Sequence, residues 1–413
     1  MYFRSISIVT DFFLLLFVAV QFNGMVDAID NLIYLGSGVA WLFLAHFENE
    51  YAFSKAFFSK ASISLVFFIA FFCGISFFKN PFFTVVAGTL ATYFRYLPIV
   101  IALFYINLND LYRINFIIKA VFLIVFVYAT MAMFFYIQNP GIARYLVSHP
   151  NEVFHGIGGN AYGLGVAVNV IAIFYLNLLL KSKKKLFLTL IMFFSILLSF
   201  SIDSATTVFT LFLCVVISFL NVFLFDRWAN SAESLLFVKK FAALGALAVF
   251  VFFLRYFIAD FLVFLSENID FAGPFVIDRL QKISEWLVGG EMGDSMNARS
   301  DLRLISINAF LEHPIIGMEF YAQEIDFDVI GSHSEFFDLL GRYGLVGCVP
   351  LFMSFIYSVK KLYFGMKTDK YFPVVLYVIL NALMNPMHYG QALFVFFCFV
   401  PLLMVNKHTP RFN

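Results

Sequence analysis

Residues 114–137 read INFIIKAVFLIVFVYATMAMFFYI. One charge, Lys119, interrupts this run. The run is long enough to cross a bilayer, whose hydrocarbon core takes about 20 apolar residues of helix. Working outward, comparable runs lie at 6–22, 31–47, 61–78 and 82–106 before it. After it come 161–180, 186–200, 205–225, 241–263, 334–358, 371–385 and 388–405. The 186–225 pair could instead form one re-entrant unit. The 413-residue chain is 62% hydrophobic and 13% charged, with a mean hydropathy of +0.90. A soluble domain is about half apolar and about a quarter charged, so water would meet large apolar areas of this one. The expectation is an all-α, polytopic membrane helix bundle of about twelve spans embedded in a lipid bilayer.

A net charge of +1 gives no reason to expect a nucleic-acid partner. Cys73, Cys214, Cys348 and Cys398 all fall in apolar runs. They read as small buried hydrophobes rather than as disulfides or metal ligands. The apolar run after Arg4 continues without a small-residue cleavage site, so it reads as a first span.

Lysine and arginine set the expected orientation, because cytoplasmic loops collect them. One side gathers Arg4, Lys55, Lys60, Arg113, the 181–185 lysine run, Arg227, Lys239, Lys240, Lys360, Lys361, Lys367, Lys370, Lys407 and Arg411. The loops of the other side are poor in both. Both termini are then expected in the cytoplasm, with spans one to nine in 1–265, a large outer loop at 266–333 and the last three spans in 334–413. The outer loop is acidic, so its few arginines stand out. Loops carry chemistry more often than scaffolds do.

Residues 298–312 read as a short helix in that loop, capped by Asn297 and ended by His313-Pro314, since the residue before proline avoids the helical region. Arg299 and Arg303 are four apart and share a face. Such a pair could bind a phosphate or pyrophosphate bidentately, or could pair with Asp301, Glu312 or lipid phosphates. Next, Ser332 and Glu335 match a capping box at the mouth of the 334–358 span. This spacing puts His333 on the first helical turn. The positive helix end disfavours imidazolium and Glu335 favours it; a neutral His333 could serve as a base, or simply cap and pack.

Three other features carry weight. The 138–160 loop places His149, Asn151, Glu152 and His155 beside Gly156, Gly158 and Gly159, where backbone could approach a sugar or merely turn. Arg95 lies inside the proline-broken 82–106 span, and a charge at that depth faces a cavity or a partner. It could pair with Asp11 or grip a lipid phosphate. Asp326-Phe327-Asp328 has the form of a metal-holding acidic pair, yet such a pair is expected by chance in so acidic a loop. No metal site is expected. There is no P-loop, zinc spacing or Gly-x-Ser-x-Gly elbow.

Arg299, then His313-Pro314-Ile315-Ile316-Gly317, then His333-Ser334-Glu335 running into Gly341-Arg342-Tyr343-Gly344-Leu345-Val346-Gly347, together resemble the signature of the bacterial O-antigen polymerase and O-antigen ligase superfamily. The likeness covers roughly 299–347 and continues more loosely back to about 186. It implies a GT-C-like bundle in the bacterial inner membrane and glycosyl transfer at the periplasmic face. The donor would be an undecaprenyl-pyrophosphate-linked oligosaccharide and the acceptor a sugar hydroxyl, with no cofactor or metal. A chain-length regulator protein is a possible partner. By motif position, Arg299 and His333 would be the catalytic pair. Arg303 falls where many relatives carry an aromatic, which leaves its role open; it, Arg95 and Glu335 are further candidates for substrate binding. Relatives often carry Ser-Arg at the outer start of a middle span. Here 199–207 reads SFSIDSATT, without arginine. Arg144 or Arg255 could replace that cation, and His155 could meet the sugar.

The resemblance suits a polymerase, which extends one carrier-linked repeat with another, better than a ligase, which transfers to lipid A–core. The aromatic, divergent body and the missing Ser-Arg pair favour the polymerase. A flippase or transporter of the same glycan lipid is a third reading, but such proteins usually show comparable halves, and the long loop of the second half has no counterpart in the first. A non-enzymatic scaffold would leave the arginines and histidine of the loop unexplained.

Overall fold

The computed structural model describes residues 2–23, 28–79, 90, 92–139, 142, 161–179, 185–201, 205–220, 253–268, 274–289, 294–321, 329–364, 371–385 and 390–408. Among these residues 91% is helical and no strand occurs, so the chain is all-α. Four helices are long and apolar enough to cross a membrane: Ser5–Asn23, Lys60–Lys79, Leu111–Gln138 and Glu335–Tyr363. Shorter apolar helices include Tyr162–Leu178, Thr189–Ser201, Thr207–Phe219, Phe372–Met384 and Gly390–Asn406. In lipid, backbone polar groups must be satisfied within the segment, and helix is the local solution that the long apolar runs allow.

The C-terminal helix is the hub. Its residues from Gly390 to Met404 are buried. It touches Tyr2–Asn23, Pro98–Leu108, Leu111–Gln138 and Ala161–Leu179. A π-helical stretch, Val395–Phe399, interrupts it. The widened turn frees a carbonyl there, and Tyr363 donates its hydroxyl to Phe396 O. Around this hub, Tyr2–Asn23 packs on Ala28–Glu48. Lys60–Lys79 packs on Glu335–Val359, and Ala205–Leu220 packs on Phe372–Met384.

Two apolar helices are broken. The 82–106 run is not one continuous helix among its described residues: Arg95, Tyr96 and Leu97 form a turn. Tyr96 N donates to Tyr93 O at 3.1 Å and Leu97 N to Phe94 O at 2.9 Å. Helix then restarts at Pro98, whose missing amide suits a first-turn position. The second break is Gly344, with φ 58° and ψ −165° inside Glu335–Val359. The two breaks adjoin: Tyr93 Oη donates to Tyr343 Oη at 3.2 Å, and Phe68 and Phe72 fill the space beside Tyr343.

A polar cluster closes another corner. Arg113 Nε and Nη2 donate to Asp11, and Nη1 and Nη2 donate to Glu48. Tyr105 Oη donates to Asp11 Oδ1 at 2.7 Å. Of the two partners the sequence left open for Arg95, Asp11 and a lipid phosphate, Asp11 is engaged elsewhere. Arg113 occupies that carboxylate, because its helix packs directly on Tyr2–Asn23.

Candidate functional site

The helix carrying Arg299 and Arg303 runs Asp294–Glu312, longer than the sequence spacing suggests, and Asn297 lies inside it rather than capping it. It packs along Glu335–Val359. Small residues permit the approach: a Cβ on Gly341 would lie 2.7 Å from Ser306 O and 3.5 Å from Ala309 Cβ. Arg299 is helical, while its side chain lies outside the described residues. Arg303 is partly buried, and its Nε is enclosed without a hydrogen-bond partner among the described residues.

The His-Pro-Ile-Ile-Gly segment forms the turn that straps this helix to the break at Gly344. Leu345 N donates to Pro314 O and Val346 N to Ile315 O, both at 2.9 Å. Gly317 has φ +76° and Gly344 φ +58°, and a Cβ on Gly344 would meet Gly317 N at 2.6 Å. Both positions need a positive φ and leave no room for a side chain. The two glycine-bearing pieces of the motif thus meet backbone to backbone. His313 stacks on Tyr321 with ring centroids 4.2 Å apart.

His333 sits before the helix rather than on its first turn. The helix starts at Glu335 with Ser334 as N-cap, and Ser334 makes no side-chain capping bond. The Ser332–Glu335 capping box does not form. Ser332 takes a left-handed φ of 52°, and its hydroxyl donates to Ile330 O at 3.3 Å. The Glu335 amide donates to Asn385 O at 3.1 Å, and Ser334 Oγ to Ala382 O at 3.3 Å. Tertiary partners at the C-terminal end of the Phe372–Met384 helix therefore replace the Ser332–Glu335 cap. His333 Nδ1 lies 3.2 Å from Gly331 O. With the proton on Nδ1 this is a donor bond, and Nε2 is left as the acceptor nitrogen.

Glu335 stands within electrostatic reach of Arg95 and Arg342. Those two arginines also feel each other, and Arg342 feels Glu319. Arg95 lies over the Tyr96 ring, 5.3 Å from its centroid. Lys79, at the end of its helix, donates to the Glu319 carbonyl. The structure thus adds two cations that the sequence reading did not assign, Arg342 and Lys79. Arg342 stood inside the quoted motif, but its neighbours drew attention as a glycine pattern. Lys79 had no signal, because only the fold carries it to Glu319.

The other expected residues divide. Arg255 belongs to the hairpin of Arg255–Asn268 on Pro274–Leu287. Its Nη2 donates to Tyr256 Oη at 3.0 Å. Arg144 and His155 lie outside the described residues, as does the Asp326–Asp328 pair. Ser199, where a Ser-Arg pair was sought, is buried and donates to Asn169 Oδ1 at 3.1 Å. Among the described residues no group of His, Cys, Asp and Glu has the arrangement of a metal site.

The arrangement, then, is a partly buried imidazole at a helix entrance, an arginine on the helix packed beside it whose enclosed Nε has no hydrogen-bond partner among the described residues, and two further arginines within electrostatic reach of one glutamate. Cations of this kind suit a phosphate or diphosphate, and the imidazole suits proton transfer. No protein-family model matches the chain, and no curated protein is similar to it at a significant level.

Proposed function

We propose that the chain is a polytopic membrane glycosyltransferase that polymerises carrier-linked oligosaccharide repeat units, with its active face on the outer side of the bacterial inner membrane. About twelve spans and a large periplasmic loop belong to the same reading. The observations that carry it are His333 at the entrance of the Glu335–Val359 helix, Arg303 on the helix packed along it, its enclosed Nε without a hydrogen-bond partner among the described residues, and Arg95 and Arg342 within electrostatic reach of Glu335.

The chemistry follows from those groups. Arg303, Arg299, Arg95 and Arg342 hold the diphosphate of the polyprenyl donor and stabilise the charge that grows on it as the sugar–phosphate bond breaks. His333 Nε2 takes the proton of the acceptor hydroxyl, whose oxygen forms the new glycosidic bond. The carrier diphosphate leaves without protonation, being a good leaving group already. In-line displacement inverts the anomeric centre. Apolar helices accommodate the polyprenyl tail.

The test is elongation by the purified chain in lipid vesicles given polyprenyl-pyrophosphate-linked repeat. A ladder of products without core oligosaccharide is expected, and its loss in Arg299→Ala and His333→Ala variants that still fold. Transfer only onto lipid A–core makes the chain a ligase; full activity in both variants removes the site assignment. One feature favours a second reading: broken helices often line transport paths. Movement of the glycan lipid across vesicles without any bond being made would establish a transporter instead.

A further inference from the structure

The segment that carries His333 is pinned on both sides by one carboxylate. The Gly331 amide donates to Ser306 Oγ at 3.1 Å. Ser306 Oγ donates to Asp338 Oδ1 at 2.6 Å. The Ser334 amide donates to Asp338 Oδ2 at 3.0 Å, and the Asp338 amide returns a bond to Ser334 O at 2.8 Å. Asp338 therefore gathers the residue after His333 directly, and the residue two before it through Ser306.

Both anchors are rigid. Ser306 is 0% and Asp338 8% exposed, and each sits within a helix. Gly331 is pressed onto the Asp294–Glu312 helix so closely that a Cβ there would overlap Leu302 O. The Gly331 carbonyl is the group that faces His333 Nδ1. Fixing Gly331 therefore holds the carbonyl that accepts from His333 Nδ1 and, with it, one constraint on the imidazole's orientation. A buried carboxylate is costly where packing alone is needed, and an apolar side chain would fill that space more favourably. Here both its oxygens are used to order the segment around one histidine.

We propose that Asp338 is a positioning residue. Acting through Ser334 and, by way of Ser306, through Gly331, it holds the His333 imidazole in the orientation from which Nε2 receives a proton. The proton's origin, the acceptor hydroxyl, rests on the glycosyltransfer reading above; the clamp itself does not. The role is carried by hydrogen bonds rather than by charge. Asn at 338 retains an oxygen for the Ser334 amide and offers an amide to Ser306 Oγ, whereas Ala offers neither.

The experiment reads both levels on the full-length chain in lipid nanodiscs. Diethyl pyrocarbonate carbethoxylates imidazole nitrogen, and peptide mass spectrometry gives the rate at each histidine. His313, which takes no part in the clamp, is the internal reference. Asp338→Ala and Ser306→Ala should change the His333 rate by about threefold or more while His313 holds, and Asp338→Asn should stay within about twofold of the wild type. In the elongation assay, Asp338→Ala should lower kcat about 10- to 100-fold with KM within about twofold, and Asp338→Asn should keep most of kcat. If Asp338→Ala fails to fold, Ser306→Ala carries the same comparison. An unchanged His333 rate in the alanine variants overturns the clamp whatever the assay reads. A loss of kcat in Asp338→Asn as deep as in Asp338→Ala also overturns it, because the charge would then be the need. A wild type that makes no product while the His333 rate still responds ends the glycosyltransfer reading and leaves the clamp standing.

Discussion

Arg113 pairs with two buried carboxylates at once, and neither Asp11 nor Glu48 is exposed enough to rely on water instead. Their side chains are 10% and 6% exposed, and that of Arg113 is 8%. Breaking a buried pair on one side costs far more than the pair contributes when intact, about 3–5 kcal/mol. Arg113→Ala should therefore lower the thermal unfolding midpoint in detergent by many degrees, and an unchanged midpoint contradicts the ledger of charges. Glycines give a sharper contrast. Gly317→Ala and Gly344→Ala each force a side chain into backbone at a positive φ, whereas a Cβ at Gly36 or Gly74 meets nothing within 4 Å. The first two should reduce folded yield severely and the second two should not, as judged by monodisperse protein after solubilisation. At this scale the sequence was legible in kind but not in pairing. It showed Asp11, Arg95 and Arg113 as charges in or beside apolar runs. Only packing decides that Asp11 goes to Arg113 and that Arg95 stands with Arg342 and Glu335.

At the scale of elements, uncharged polar residues join helices that apolar side chains alone would not register. Asn169 on Ala161–Leu179 accepts bonds from Ser195 and Ser199 on Lys185–Ser201. Its Nδ2 donates to Tyr377 Oη at 2.9 Å. Asn381 Nδ2, on the same helix as Tyr377, donates to Thr210 Oγ1 at 3.1 Å. In lipid-like surroundings such bonds contribute about 1–2 kcal/mol each at most. Asn169→Leu leaves the hydroxyls of Ser195 and Ser199 to find other partners. It should destabilise by about that amount, read as a lowered unfolding midpoint with helix content unchanged by circular dichroism; a raised midpoint would mean that the network is strained. Gly341→Leu should separate Asp294–Glu312 from Glu335–Val359 and abolish elongation while the protein still inserts. Retained activity would show that this contact is dispensable. The capping box illustrates what local spacing misses. Ser332 and Glu335 have the right interval, but Asn385 O takes the Glu335 amide and Asp338 takes the Ser334 amide. Those partners lie 50 and 4 residues away, and the nearer one also accepts from Ser306 on the neighbouring helix.

For the whole molecule, the helices follow from the apolar runs, because a backbone without water has few alternatives. Ranges such as 61–78, 114–137 and 371–385 fall on Lys60–Lys79, Leu111–Gln138 and Phe372–Met384. The break at Arg95–Leu97 was legible, since Pro98 marks it, whereas the one at Gly344 was not, because Gly344 stood as one glycine among several in the quoted motif. The site was half legible: His333, Arg303 and Arg95 were named from their surroundings, while Arg342, Lys79 and Asp338 acquire their positions only from tertiary packing. Everything proposed for these groups requires that Asp294–Glu312 face the outside, where carrier-linked repeats would be joined. The decisive measurement is labelling of single cysteines in a cysteine-free background with a membrane-impermeant maleimide. Ser300 and Lys361 are both exposed and suit the purpose. Ser300→Cys should label in intact cells and Lys361→Cys only after permeabilisation. Labelling of Lys361→Cys in intact cells, with Ser300→Cys protected until lysis, would contradict the account.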